Sequence, residues 1–219
     1  MTEIAKFVSI TPDAEKTIAY CARVSNPKNQ DSDNIAGLLK YCIKHKHWSI
    51  FEMANLVIEV NTSRGISAQI IRHRSMSYQE ASTRYMNVGE LCEHIPTPDL
   101  RRQDTKDRQN SIDDIDGYLK LKLQSKIAEH FDNARKLYDE LIAHGVAREC
   151  ARNILPLATP TRIYINGNVR SWITYIALRE KSGTQQEHKE VALACKKIFA
   201  EHLPVVTEAL GGADVPWVV

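Results

Sequence analysis

The sequence predicts a single domain in which helices outnumber strands, and three observations carry that expectation. A chain of 219 residues with 43% apolar composition can bury one sizeable core and lies within the roughly 100–250 residues usual for one domain. Two short runs rich in β-branched residues, Leu56–Asn61 and Thr161–Ile165, have strand character. Apolar residues recur at helical spacing over several longer stretches. Residues 1–219 therefore read as one domain, interrupted by a polar excursion at about 97–117.

Leu56-Val57-Ile58-Glu59-Val60-Asn61 ends at Asn61-Thr62-Ser63, a polar handover from strand to helix with Ser63 placed as the N-cap. Ile66, Ile70 and Ile71 then predict a short helix reaching the triplet Arg72-His73-Arg74. Between Thr97 and Gly117 the chain carries Arg101, Arg102, Lys106, Asp107, Arg108, Asp113, Asp114 and Asp116 with little apolar periodicity. It reads as a mobile excursion, either a solvated loop or a lid over a site. Leu119, Leu123, Ile127, Phe131, Ala134, Tyr138, Leu141 and Ile142 form the stripe of the longest helix, with Gly145 where a C-terminal cap belongs. A further helix is expected over Ala147–Ile154, ending before Pro156, and Thr161–Ile165 is expected as a strand that Asn166-Gly167 turns. Helices from about Ser171 to Arg179 and Gln185 to His202 complete the expected fold, and the apolar tail Val215–Val219 should pack on the body or on a neighbouring subunit.

The charge balance, 29 basic against 27 acidic residues, gives no support to a protein that coats nucleic acid or membrane, so any anion site must be local. Cys21, Cys42, Cys92, Cys150 and Cys195 are odd in number and form no C-x-x-C pair, which fits a reducing cytoplasm better than a disulfide framework or a zinc ribbon. Neither a signal-peptide pattern nor an apolar run near the ~18–20 residues of a membrane span is present, so a soluble, cytoplasmic protein is expected. Lys44-His45-Lys46-His47 offers two histidines two apart, which on a helix point in different directions, so no metal site is expected. Cys150 reads as a buried structural cysteine rather than a nucleophile.

No G-x-G-x-x-G follows a strand and no P-loop occurs, so a nucleotide must be held by side chains. Gln69 and Arg72 are three apart and share a face on a continuous helix, while Glu80, Ser82 and Arg84 alternate and share a face in an extended segment. Arginine forks and a serine suit a phosphate, and a glutamate accepts from a sugar hydroxyl, so the set suits a nucleoside monophosphate. The alternative is a solvated basic face that complements the helix macrodipole. Ser82 has no neighbouring base to activate it, and reads as a ligand to phosphate or substrate rather than a nucleophile.

Arg72-His73-Arg74, seven residues, then Ser82 resembles the R-H-R-x7-S signature of the flavin-dependent thymidylate synthases. Ser77-Tyr78-Gln79-Glu80, Arg84-Tyr85, Ala22-Arg23-Val24-Ser25, His47-Trp48-Ser49-Ile50-Phe51-Glu52, Ala151–Pro156, Asn168-Val169-Arg170-Ser171 and Leu178-Arg179 extend the resemblance across most of the chain. It implies an α+β fold with a mixed sheet and several packed helices, assembled as a homotetramer with active sites shared between subunits. It also implies reductive methylation of dUMP to dTMP, with methylenetetrahydrofolate as carbon donor and FAD, reduced by NADPH, as hydride source. By this resemblance Gln69, Arg72, Glu80, Ser82, Thr83, Arg84, Arg152 and Arg179 contact dUMP, and Arg179 is catalytic. Ser49, Arg72, His73, Arg74, Glu80, Asn168, Arg170 and Thr174 contact FAD, and His47 and Glu52 complete the flavin and folate surroundings. The chain departs from relatives at Met53, where many carry His, at Thr174, where some carry Asn, and at Thr83, where a small Gly is usual. Two rival readings are a catalytically inactive relative that still binds flavin or nucleotide, and a nucleic-acid-binding module built on the arginine triplet.

Overall fold

The computed structural model describes residues 3–219. Six strands, β1 (Ala5–Ile10), β2 (Asn55–Ser63), β3 (Ser77–Glu80), β4 (Arg102–Gln103), β5 (Ser111–Ile112) and β6 (Pro160–Asn168), are joined by eight helices among the described residues. The helices are α1 (Ala14–Ala22), α2 (Ile35–Lys44), α3 (Arg64–Ile70), α4 (Gly117–Ala143), α5 (Arg148–Ala151), α6 (Val169–Arg179), α7 (Gln186–His202) and α8 (Pro204–Ala209). Four strands form a sheet in the order β1-β2-β6-β3, and β4 and β5 form a separate antiparallel hairpin. β1 pairs antiparallel to β2, with a register shift between Phe7 and Ser9.

The chain forms two compact units, one from the residues up to Val60 with Ile71–Gln79 and Tyr164–Val219, the other from Asn61–Ile70 and Glu80–Ile163. In the first, strand alternation buries Leu56, Ile58 and Val60 from β2 and Ile165 from β6. Trp172, Tyr175 and Ile176 of α6 and Phe199 of α7 complete this core. The C-terminal tail belongs to it as expected, because Trp217 is fully buried, packs on Phe199 and donates Nε1–H to Gly212 O at 2.9 Å. In the second unit the core is Val88, Tyr138 and Ala151, with Leu141, Ile142, Val146 and Leu155 packed against it.

The expected helix boundaries hold where capping chemistry sets them. Ser63 Oγ accepts the Ile66 N–H, and Asp116 Oδ1 caps α4 at the Leu119 N–H (2.9 Å). Gly145, at φ 78, closes α4 by giving its N–H to Ile142 O, while Val146 N–H reaches Leu141 O.

Several expectations need correction. Asn166-Gly167 is not a turn: β6 runs through both residues. A Cβ on Gly167 would lie 3.1 Å from Met76 Cγ and 3.2 Å from Trp172 Nε1, so the glycine serves close packing inside a strand. Within the excursion, where no regular element was expected, β4 and β5 pair and Arg102 grips Asp114 through two of its nitrogens, Nε at 2.8 Å and Nη2 at 2.6 Å. Leu119 and Leu123, placed on the buried stripe of α4, are 46% and 38% exposed; burial begins further along, at Phe131 and Tyr138. His45 and His47 lie beyond α2, on either side of Lys46 at a φ of 58, and their rings gather around Tyr41 instead of diverging. Cys150 is exposed, because α5 is a single turn that turns Ala151 inward and leaves its neighbour outside.

Candidate active site

In the second unit, the local folding of α3 and of the chain after β3 decides where the arginines point. Gln69 is in the last turn of α3, but the helix ends at Ile70, so Arg72 lies in the following turn and the expected shared face does not exist. Similarly β3 ends at Glu80; Ser82 follows it and Arg84 lies in a turn, so the alternation does not continue to Arg84. Ser82 Oγ accepts the Arg84 N–H at 3.3 Å, which is what forms that turn. Arg84 Nη2 meets Glu149 at 3.0 Å, with both side chains more than half exposed.

Glu80 is held by two partners that the sequence reading did not name. Its Oε1 accepts from Arg64 Nη1 at 3.1 Å and from the buried Thr161 hydroxyl at 2.8 Å, while Arg64 Nη2 donates to Ala81 O at 2.7 Å. Arg64, Thr83 and Arg152 line one cavity of about 240 Å³ with Asn153, Pro156 and Thr159. Among the described residues the Arg152 guanidinium has no acceptor, which leaves an uncompensated cation in a polar recess. Arg64 opens α3 immediately after the Ser63 cap, and that position is the signal that could have marked it.

The first unit holds the triplet and the end of α6. Arg179 Nε donates to His73 Nε2 at 2.9 Å, so that imidazole is neutral at this nitrogen and carries its proton on Nδ1. Burial, with the Arg179 charge adding to it, pulls His73 down to about 4. The His73 ring stands nearly perpendicular to Tyr175 at 4.9 Å, and Tyr78 donates its hydroxyl to His73 O at 2.6 Å. Among the described residues neither Nη of Arg179 has an acceptor, and the guanidinium groups of Arg72 and Arg74 have none either. Tyr175 and His188 were not read from the sequence, and Tyr78 was read only as part of the resemblance. Tyr175 stands one helical turn before Arg179, a spacing that could have signalled it.

The other expected cofactor residues of this unit have local partners. Asn168 Oδ1 caps α6 at the Ser171 N–H (2.8 Å), Arg170 pairs with Glu52, and Thr174 Oγ1 donates to Arg170 O at 3.0 Å. Ser49, in the short 3-10 segment Trp48–Glu52, His47 just before it and Met53 just after it are exposed. Among the described residues no three metal-ligating side chains come together.

Among the described residues each unit thus carries guanidinium groups without protein acceptors, on an α+β fold whose sequence has no glycine-rich phosphate loop. A family model described as thymidylate synthase complementing protein matches residues 6–205. A flavin-dependent thymidylate synthase of Synechocystis sp. is 50% identical over 196 residues, spanning 90% of this chain and 89% of the relative. A probable flavin-dependent thymidylate synthase of Paramecium bursaria Chlorella virus 1 is 48% identical over 214 residues, spanning 94% and 98%. Among solved structures, the UMP/dUMP methylase PolB of Streptomyces cacaoi bound with 5-Br UMP superposes with a TM-score of 0.82 at 25% identity, covering 94% of this chain and 92% of the other. The chain belongs to the flavin-dependent thymidylate synthase family.

Proposed function

We propose that this chain is a methyltransferase that converts dUMP to dTMP by reductive methylation, drawing its one-carbon unit from methylenetetrahydrofolate and using FAD reduced by NADPH. The observation that carries the reading is the Arg179–His73 pair. The histidine of the R-H-R triplet fixes the guanidinium through Nε and leaves both terminal nitrogens for a ligand. A guanidinium held this way presents a permanent positive charge to the uracil ring, favouring ionisation at N3 and stabilising negative charge that develops during transfer.

For dUMP the second unit offers Gln69, Glu80, Ser82, Thr83, Arg84 and Arg152, and the first offers Arg72 and Arg179. Arg152 and Thr83, on one cavity, suit the phosphate. A flavin fits the first unit's donor set, since a diphosphate needs cations not already neutralised and Arg72 and Arg74 are such cations among the described residues. Ser49, His73, Asn168, Arg170 and Thr174 complete that set; Asn168 keeps its amide N–H groups, since only its oxygen caps α6. When bound and reduced, the flavin supplies the hydride that makes the transferred carbon a methyl group. The protein contributes orientation, fixed charge and exclusion of water.

The reading takes residues 1–219 as one catalytic domain of a cytoplasmic homotetramer whose subunits share active sites. Tyr118, Leu119, Leu121 and Leu123 at the start of α4 are exposed large apolar side chains, which assembly would cover. Among the described residues no helix is long and apolar enough to cross a membrane. The test is release of tritium from 5-tritiated dUMP by the purified protein with FAD, NADPH and methylenetetrahydrofolate, each omitted in turn. Release that requires the flavin and the reductant supports the reading. Intact, flavin-loaded protein that releases none is an inactive relative.

A further inference from the structure

Within the first unit, two buried polar side chains lie beside Arg179 and His73 without belonging to any expected ligand set. Tyr175 on α6 and His188 on α7 are 1% and 0% exposed, and the His188 Nε2 lies 3.2 Å from the Tyr175 hydroxyl. An apolar pair of similar shape would pack between two helices at no desolvation cost, so a retained polar pair calls for a role beyond packing.

The surroundings indicate the role. His73 is outside regular structure, in the turn after α3, so no helix or strand holds its ring. Its backbone oxygen is tied by the Tyr78 hydroxyl. Its ring is fixed by two perpendicular neighbours, Tyr175 at 4.9 Å and His188 at 6.4 Å. Tyr175 and Arg179 are four apart on α6 and share a face. One residue therefore sets the plane of the imidazole while the other donates to its lone pair. His188, bonded to Tyr175 from the neighbouring helix, keeps the phenol from rotating away.

We propose that Tyr175 and His188 are positioning residues, which hold His73 as the neutral acceptor that aims Arg179 at the substrate. The part concerning substrate rests on the proposed function; the part concerning His73 does not. The titratable and charged groups facing the cluster are Arg179 from α6, Cys195 from α7, Tyr78 from β3 and His73 itself. Burial and the Arg179 charge hold His188 at about 4, as they do His73, so both rings are neutral through the physiological range.

The test uses the full chain with Tyr175→Phe, His188→Leu and His188→Gln, each checked for folding by circular dichroism. The first readout is the NMR titration of the His73 ring, which needs no turnover. Loosening the clamp admits water to the imidazole, so the midpoint in Tyr175→Phe and His188→Leu should rise by about one pH unit or more toward the ordinary 6.5. His188→Gln, which can still bond the Tyr175 hydroxyl, should restore most of the wild-type value. The second readout is steady-state methylation. A fall in kcat of about tenfold or more, with KM for dUMP within about twofold, is the expected split for a misplaced catalytic group. The acid limb of the kcat profile should move upward with the His73 midpoint. If His188→Leu does not fold, Tyr175→Phe, which removes one oxygen, decides. A His73 titration unchanged in folded Tyr175→Phe overturns the inference. An altered titration in a wild-type protein that never methylates dUMP would instead sink the proposed function and leave the clamp standing.

Discussion

The catalytic role proposed for Arg179 rests on an Nε already committed to His73 and Nη groups that have no acceptor among the described residues. Replacing it by Ala should abolish tritium release from dUMP while the protein still binds flavin, measured by absorbance of the retained cofactor; retained turnover would remove it from the catalytic role. Arg84 and Arg152 should separate in the same spirit. The exposed Arg84–Glu149 pair is worth about 0–1 kcal/mol, so Arg84 can be recruited to a phosphate cheaply, and Arg152 needs no release at all. A charge-assisted hydrogen bond of about 1.5–3 kcal/mol then predicts that Arg152→Ala weakens dUMP by roughly 10- to 150-fold with little change in flavin affinity; equal losses of both ligands in titrations would contradict a phosphate role. The two buried imidazoles give a pH signature. His73 and His188 sit near 4 in the folded protein against an ordinary 6.5, so the unfolded chain takes up protons first. Their contribution is complete above about 6.5 and is lost as pH falls from there through 4. The melting temperature should drop across that window, and His188→Leu should flatten the drop; an identical slope would argue that neither ring stays neutral. The R-H-R…S spacing made the family legible in the sequence, and the site residues it implies are expectations that the proposed experiments test. Of the partners that were not read, Thr161 and His188 reach Glu80 and Tyr175 from distant stretches of chain, whereas Arg64 beside the Ser63 cap and Tyr175 one turn before Arg179 had local signals that went unused.

At the scale of elements, legibility followed the strength of the local signal. Helical spacing and the Gly145 cap marked α4 and its C-terminal end, while its N-cap Asp116 reads in the sequence only as part of the polar excursion, and the helices α6 and α7 came out within two residues. β1 passed unread because it is an edge strand with only Ala5 buried, so its sequence lacks the alternation that a half-buried strand shows. The paired arrangement of Gln69 with Arg72, and of Glu80 with Arg84, failed for a shared reason: both inferences extended a regular element past the residue where its hydrogen bonding stops. Gly167 failed differently. An Asn-Gly pair favours a turn locally, yet here the strand wins because a glycine lets the Trp172 indole, bonded through Nε1 to Leu56 O at 2.9 Å, approach the backbone. Gly167→Ala should therefore cost about 1–3 kcal/mol through overpacking, read as a lower urea midpoint at unchanged m-value. A neutral or stabilising effect would show that Met76 and the indole give way freely.

At the scale of the whole molecule, the residues proposed to meet ligands run from Ser49 to Arg179 and fall in two units, a division that spacing alone could not reveal. The chain end is tied in by a device equally hidden from composition. Lys196 and Glu180 form an ion pair at 2.6 Å with side chains 4% and 3% exposed, yet Val215–Val219 looks in sequence like a plain apolar tail. Lys196 Nζ also donates to Val215 O at 2.6 Å and lies 4.8 Å from the Trp217 ring centroid, while Glu180 accepts the Trp217 N–H. The pair is thus completed by the tail, and Glu180 adjoins Arg179 at the end of α6, so loosening the tail should be felt next to the arginine proposed as catalytic. Removing one partner of a buried pair strands the other charge at a cost of about 3–5 kcal/mol, whereas exchanging both for apolar groups is often close to neutral. Lys196→Met should therefore lower the unfolding free energy by that amount. The double variant Lys196→Met/Glu180→Leu should recover most of it, short by about 1–3 kcal/mol for the Trp217 amide that loses its acceptor. Denaturant titrations of the single and double variants measure the difference. Additive losses would mean that water already reaches the pair, and that the tail is held by the burial of Trp217 alone.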